Sequence, residues 1–238
     1  MSSEYIILQD TPHVETQAWE AAVEAPTRKL TLALAKPETV HPDSGFLTPN
    51  AVRTLADQQV KVFAQFGLAN HNPFSDTDYA DAGAEFTHHY ADLALLSNLI
   101  LKFDAFTLDQ IALSKENQIL FSVLSPEKLS PEYIEAVNEK NTTMICLQLL
   151  QNDDGIPIID KIRKETLSEA GFQIAISNYL LPLVDTLVHA PSIGYALQRA
   201  PELMPAYLCY AGTLCHQSTA EFLHLPWRDI VSLCWDLN

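Results

Sequence analysis

An α/β fold built on a mainly parallel sheet is what this sequence predicts. Short apolar runs of strand length alternate with segments that open on helix-capping residues, and such alternation marks β–α–β units. The chain has 238 residues and is 47% apolar, enough for a continuous core. No internal repeat and no low-complexity tract competes with this reading.

Residues 1–28 read as an extension, with helix formers over Thr16–Ala25 stopped by Pro26 and Thr27. The first strand is Leu30–Ala35, closed by Lys36 and Pro37. Thr48 then Pro49 opens a helix, a capping hydroxyl followed by a residue whose missing N–H is harmless at the first helical position. Val52, Leu55 and Ala56 supply its apolar face. Val60–Phe66 alternates and reads as the second strand, ended by Gly67. Ser75, with Asp76 and Asp78 behind it, starts a short helix running toward Ala82-Gly83. Leu99–Lys102 reads as a buried strand, and Thr107 with Gln110 forms a capping-box pattern. Ile119–Leu124 is the next strand. Ser130-Pro131-Glu132 opens a helix to about Glu139, and Thr142–Leu149 reads as a further strand. Asp153-Asp154-Gly155 is a turn before Ile156–Ile159. Beyond Lys161 the chain reads as helical, broken by Pro182, Pro191, Pro201, Pro205 and Pro226.

A formal charge of −16 and a pI near 4.7 argue against nucleic acid or an anionic membrane surface as a partner. Solubility accounts for the acidity. No apolar run approaches the ~20 residues that span a bilayer. The first basic residue is Arg28, and Tyr5–Leu8 is too short for the apolar region of a signal peptide. The four cysteines, Cys146, Cys209, Cys215 and Cys234, show no CxxC spacing, so a reduced cytoplasmic protein is expected.

Several landmarks follow one another between Leu32 and Cys234. They are Lys36-Pro37-Glu38 with Phe46-Leu47-Thr48-Pro49, then Phe74-Ser75-Asp76 with Tyr79, Ala82, Gly83, Ala84 and Glu85, then Gln118–Leu124. Asp153–Pro157, Leu167-Ser168-Glu169, Ile176-Ser177-Asn178, Tyr210-Ala211-Gly212 and Leu225–Asp229 come after them. In that order they resemble the substrate domain of the alanine dehydrogenase and proton-translocating transhydrogenase family. The resemblance implies a three-layer α/β/α, flavodoxin-like domain over residues 29–238. Residues 29–171 would form its first part, and residues 172–238 would return as helices packed back on it. In the family the chain leaves near this junction, builds a nucleotide-binding domain, and comes back. Here Gly171 is followed directly by the returning segment. The glycines support that absence independently. A dinucleotide site needs G-x-G-x-x-G so that the backbone can approach the pyrophosphate, whereas the closest of the seven glycines are sixteen residues apart. No nicotinamide cofactor is expected, and no P-loop.

The resemblance also locates the family's chemistry. An arginine clamps the substrate carboxylate, a lysine polarises the keto group, and a histidine handles the proton. The arginine position falls on Ser44, which cannot form a bidentate cationic clamp. The histidine position falls on Ser125. The lysine is the second of a KxK pair, which places Asp104 there and Lys102 at the first lysine; a shift of alignment would let Lys102 stand in. Asn178 matches an asparagine that lies near substrate and nicotinamide in the family, with a helix or turn cap as the competing reading.

Other candidates read as structure. His88 and His89 are adjacent, so on a helix they point about 100° apart and form solvated surface rather than a metal pair. Adjacent Cys215 and His216 do not make a nucleophile pair. His189, Tyr207, Tyr210 and Trp227 read as a helix-packing core rather than an interface, and no metal site is expected. Three functions follow. The first is a catalytically inactive family member acting as an interaction or regulatory module, as a homodimer or bound to a metabolic enzyme or full-length relative. The second binds a small keto or amino acid in the old substrate pocket. The third is a dehydrogenase whose cofactor domain is supplied in trans, against which Ser44 counts. The first predicts an exposed apolar patch, and the second a polar pocket near Asn178 and Lys102.

Overall fold

The computed structural model describes residues 30–39, 46–70, 73–152 and 154–236. The proposed extension 1–28, Ser44 and Asp153 lie outside them. One eight-stranded sheet runs through the described chain in the order β3-β2-β1-β4-β5-β6-β7-β8. Its strands are β1 Leu32–Ala35, β2 Val62–Gln65, β3 Ala84–Thr87, β4 Leu99–Lys102, β5 Ile119–Ser122, β6 Thr143–Cys146, β7 Tyr207–Tyr210 and β8 Thr213–Leu214. The first six are parallel, and β7 and β8 are antiparallel.

β1 shows how the layers arise. Its sequence LALA is wholly buried, and side chains alternate between the two faces of a strand. Leu32 and Leu34 join one core, while Ala33 and Ala35 join the other. The leucine side is covered by α1 Pro49–Asp57, α2 Asp76–Asp81, α6 Ile158–Glu165, α7 Glu169–His189, α8 Ile193–Arg199 and α10 Ile230–Asp236. The alanine side carries α3 Tyr90–Leu96, α4 Leu108–Ala112, α5 Pro131–Glu139 and α9 Gln217–Leu223. The three-layer α/β/α architecture is thus present, and the caps read from Thr48, Ser75, Thr107 and Ser130 all accept backbone N–H groups as expected.

The returning helix does pack back. α7 buries nine residues, Phe172 and Ile176 among them. Val188 O accepts from Leu30 N at 2.9 Å, and Ser177 Oγ accepts from Thr48 N at 2.9 Å. The junction between residues 171 and 172 lies inside the first turn of this helix, which Ser168 caps by accepting from Gly171 N. By length and composition α7 passes for a membrane span, but half of its apolar window is buried in the fold, and it is a core helix here.

Four expectations need correction. Strand β3 and helix α3 are absent from the reading above because AEFT is only partly buried and lacks an apolar run. Without β3 the parallel strands would have the flavodoxin order; with it they take the six-stranded doubly wound order 3-2-1-4-5-6. Thr142–Leu149 is a strand only to Cys146, and Leu147–Leu149 tightens into a 3-10 turn. Pro182 does not break its helix, because it sits exposed on the solvent side with Asn178. Proline there removes only the N–H that would bond the carbonyl of Asn178, itself an exposed residue. Finally, residues after Lys161 are not all helical. Ala211 and Gly212 have φ of 49° and 71° and join β7 to β8 as a two-residue turn with both φ positive, the geometry that matches strand twist.

Candidate ligand cleft

Parallel strands run their carboxyl ends to one edge of the sheet. β1 and β4 are neighbours there although five elements of chain wind away between them, so the winding reverses at this pair. The two exit loops must part, which leaves a crevice where ligands bind in such sheets. An open cleft of about 640 Å³ lies here, lined by Pro37 and Thr39 after β1, Asp104 and Ala105 after β4, and Ser125 after β5. Lys128, Tyr133, Gln148 and Arg163 close its far side.

Lys102 ends β4 and is fully buried. It shares the strand face of Ile100, toward the alanine-side core, so it points beneath the cleft floor. Its Nζ lies 3.0 Å from Asp104 Oδ1 and 3.7 Å from Glu38 Oε1. It donates to Ala105 O at 3.0 Å and to Gln110 Oε1 at 2.8 Å. Gln110 Nε2 in turn donates to Glu38 Oε1 at 2.8 Å. Asp104 uses its other oxygen to accept from Glu38 N at 2.7 Å and Thr39 N at 3.1 Å. One buried ammonium therefore ties the exit loops of β1 and β4 together. Its hydrogen bonds go to Ala105 O and Gln110 Oε1, and its charge is paired with Asp104.

The remaining expected residues divide. Asp104 and Ser125 line the cleft. Asn178 does not: it is an exposed mid-helix residue of α7, and it caps nothing. Ser44 lies outside the described residues. His88 and His89 are not on a helix surface. His88 stacks on Phe66 with centroids 4.3 Å apart, and His89 sits at the N-cap of α3. Tyr207 is core, but on a strand, whereas Trp227 is 38% exposed.

A second cavity of about 460 Å³ lies beyond Gln148, with Glu127, Asp160, His216, Thr219 and Phe222 around it. His216 and Cys215 are separated in purpose. The imidazole caps α9 through Thr219, and burial lowers its pKa. Burial pushes the Cys215 thiol up to about 12, and the group points at Thr213 O at 3.4 Å. Among the described residues no group of three or more His, Cys, Asp or Glu side chains is placed to hold a metal ion.

Sequence reading missed Lys128, Tyr133, Gln148 and Arg163. They come from four separate elements, and no local spacing links them. Gln110 was visible, but only as a cap. The motif carried by Phe74–Glu85 is structural throughout. Asp76 accepts from Gly67 N and Ala69 N, and Tyr79 donates to Leu47 O while accepting from Gln173.

The geometry defines a doubly wound α/β domain with a polar cleft at the reversal of strand order. Residues 46–161 match the family described as alanine dehydrogenase/PNT, N-terminal domain. An L-alanine dehydrogenase structure superposes with a TM-score of 0.65 at 12% identity, covering 81% of this chain and 99% of that one, a likeness of fold. A transhydrogenase from Sinorhizobium meliloti aligns at 18% identity over 50% of this chain and 36% of that one, with a TM-score of 0.43. No curated protein sequence matches the chain.

Proposed function

We propose that the protein binds a small keto or amino acid, or a related polar molecule, in the switch-point cleft and carries out no hydride transfer. One observation carries this reading. The cleft is open, yet Asp104 stands where the resemblance puts the keto-polarising lysine, and Lys102, the residue that could stand in, is turned beneath the cleft into an ion pair with that aspartate. Ser125 in the histidine position adds a hydroxyl that has no proton-transfer role near neutral pH. Cytoplasmic residence belongs to the same proposal, supported by four buried free thiols. A thermal-shift screen of keto and amino acids is the test, with stabilisation growing as ligand exceeds its Kd. Alanine should give no NADH, and NADH should give no saturable energy transfer from Trp227 or Trp235. Alanine-dependent NADH formation would overturn the reading.

A second reading, the interaction or regulatory module, has its own support at the junction. Leu167 is fully exposed, and Ile174 on α7 is 46% exposed. Pairing there, as a homodimer or with a metabolic enzyme, would bury at least ~1,000 Å². Light scattering at micromolar concentration reads it out, and a clean monomer with no partner recovered counts against it.

A further inference from the structure

We propose that the cleft grips an oxyanion, carboxylate or phosphate, between the Arg163 guanidinium and the Lys128 ammonium. Gln148 takes a hydrogen-bond donor from the same ligand. This rests on the ligand-binding reading above but not on positions 44, 102 or 125, and it puts the clamp on the β5–β6 side of the cleft.

The charged residues lining the cleft are Asp104, Lys128 and Arg163. Asp104 is already occupied by Lys102 and by the backbone N–H groups of Glu38 and Thr39. Among the described lining residues the balance is therefore positive, on a chain of formal charge −16, and charge lining a low-dielectric crevice is felt more strongly than charge on open surface. Arg163 is held in place for the task. Its Nη1 lies 3.9 Å from Asp160 Oδ1, and the guanidinium sits over the Phe172 ring at 5.2 Å. A stacked, planar guanidinium loses little freedom when it binds an oxyanion. Lys128 closes the short turn after β5 and is exposed, so it reaches the ligand as a flexible point charge.

The acceptor is a separate observation. Gln148 Oε1 is buried and has no hydrogen-bond partner among the described residues, a state that costs free energy until a donor arrives. Ser125 and Ser130 add hydroxyls on the same wall. The cleft is open and roomy, at about 640 Å³. The fitting ligand class is a small organic anion that also carries an amino or hydroxyl group.

The test is an amide-shift titration of the full chain with three probes: malonate, inorganic phosphate and uncharged malonamide. Malonate or phosphate should shift the amides of Lys128, Gln148 and Arg163, and whichever binds tighter names the oxyanion. Malonamide should bind at least about tenfold more weakly, and Lys128→Gln and Arg163→Gln should each weaken the anion by about tenfold, the worth of a charge-assisted hydrogen bond. Arg163 also packs on Phe172, so the exposed Lys128→Gln variant keeps the test clear of folding defects. Malonamide binding as well as malonate, indifferent to Lys128→Gln, would overturn the anion clamp and leave the ligand-binding reading standing. Anions that leave these amides unmoved would overturn the clamp outright.

Discussion

Removing either end of the Lys102–Asp104 pair should destabilise the protein unequally, and the order separates a structural lysine from a site lysine. Asp104→Asn leaves a fully buried ammonium whose nearest carboxylate is then Glu38 at 3.7 Å. It also weakens the acceptor that holds Glu38 N and Thr39 N. Breaking a buried pair from one side costs about 3–5 kcal/mol. The Asp104 side chain is 20% exposed, so the lower end, about 3 kcal/mol, applies. In a chain of this size that corresponds to a fall in Tm of about 6–12 °C. Lys102→Met removes the buried charge and keeps apolar bulk. Asp104 then retains its backbone donors and some water, while Gln110 Oε1 and Ala105 O lose a donor. About 1–2 kcal/mol is expected. The double variant should be more stable than Asp104→Asn alone, because the stranded ammonium has gone.

Urea denaturation followed by tryptophan fluorescence measures all three variants. If Lys102→Met costs as much as Asp104→Asn, and the double variant shows no recovery, the pair is not the unit that binds the two loops. The same variants serve as a functional control. Loss of cleft binding in Lys102→Met, with stability intact, would return this lysine to the site.

Two other outcomes are expected. All four cysteines are buried, and burial raises the Cys146 thiol to about 11 and Cys215 to about 12, with Cys209 and Cys234 also raised. Because the thiolate is the reactive form, a thiol reagent at pH 8 should react slowly with the native protein and count four groups after denaturation; one fast equivalent in the native state would contradict this. A chain ending at residue 171 should not melt cooperatively, since α7 then leaves Leu30, Thr48 and Tyr79 without Val188, Ser177 and Gln173. A soluble, sharply melting fragment would refute it.

The parts of the fold legible in the sequence are those set by local rules. Leu99–Lys102 was bounded as observed, and helix starts followed from a hydroxyl at the cap with proline or an acid after it. What escaped depended on distant partners. AEFT becomes β3 only because β2 offers a free edge, pairing Val62 with Ala84 and Gln65 with Thr87. The β7–β8 hairpin turns on Ala-Gly rather than the usual Asn-Gly, so no standard turn signal marked it. Pro182 could be read as a helix breaker because its exposure, not its identity, decides the outcome. At the site, Asp104 and Ser125 were found through the family's spacing. Lys128, Gln148 and Arg163 were not, because only the folded sheet brings their three elements to one edge.

The resemblance and the site therefore speak of different residues. In the Phe74–Glu85 motif that carries the resemblance, the side chains hold the scaffold: Ser75 and Asp78 form a reciprocal cap, Asp76 pins the turn after β2, and Tyr79 links Leu47 to Gln173. Asp104 and Ser125, in contrast, line the cleft. The join at residues 171 and 172 follows the same division. A helix start at Ser168, a nine-residue buried face, and a proline kept on the solvent side make α7 continuous through residues 171 and 172. The scaffold is closed by its own returning helix, and a fold shared with a dehydrogenase does not carry the dehydrogenase's chemistry with it. At the carboxyl ends of β1, β4 and β5, Lys102 acts as a strut between two loops, and Lys128 and Arg163 line the opening.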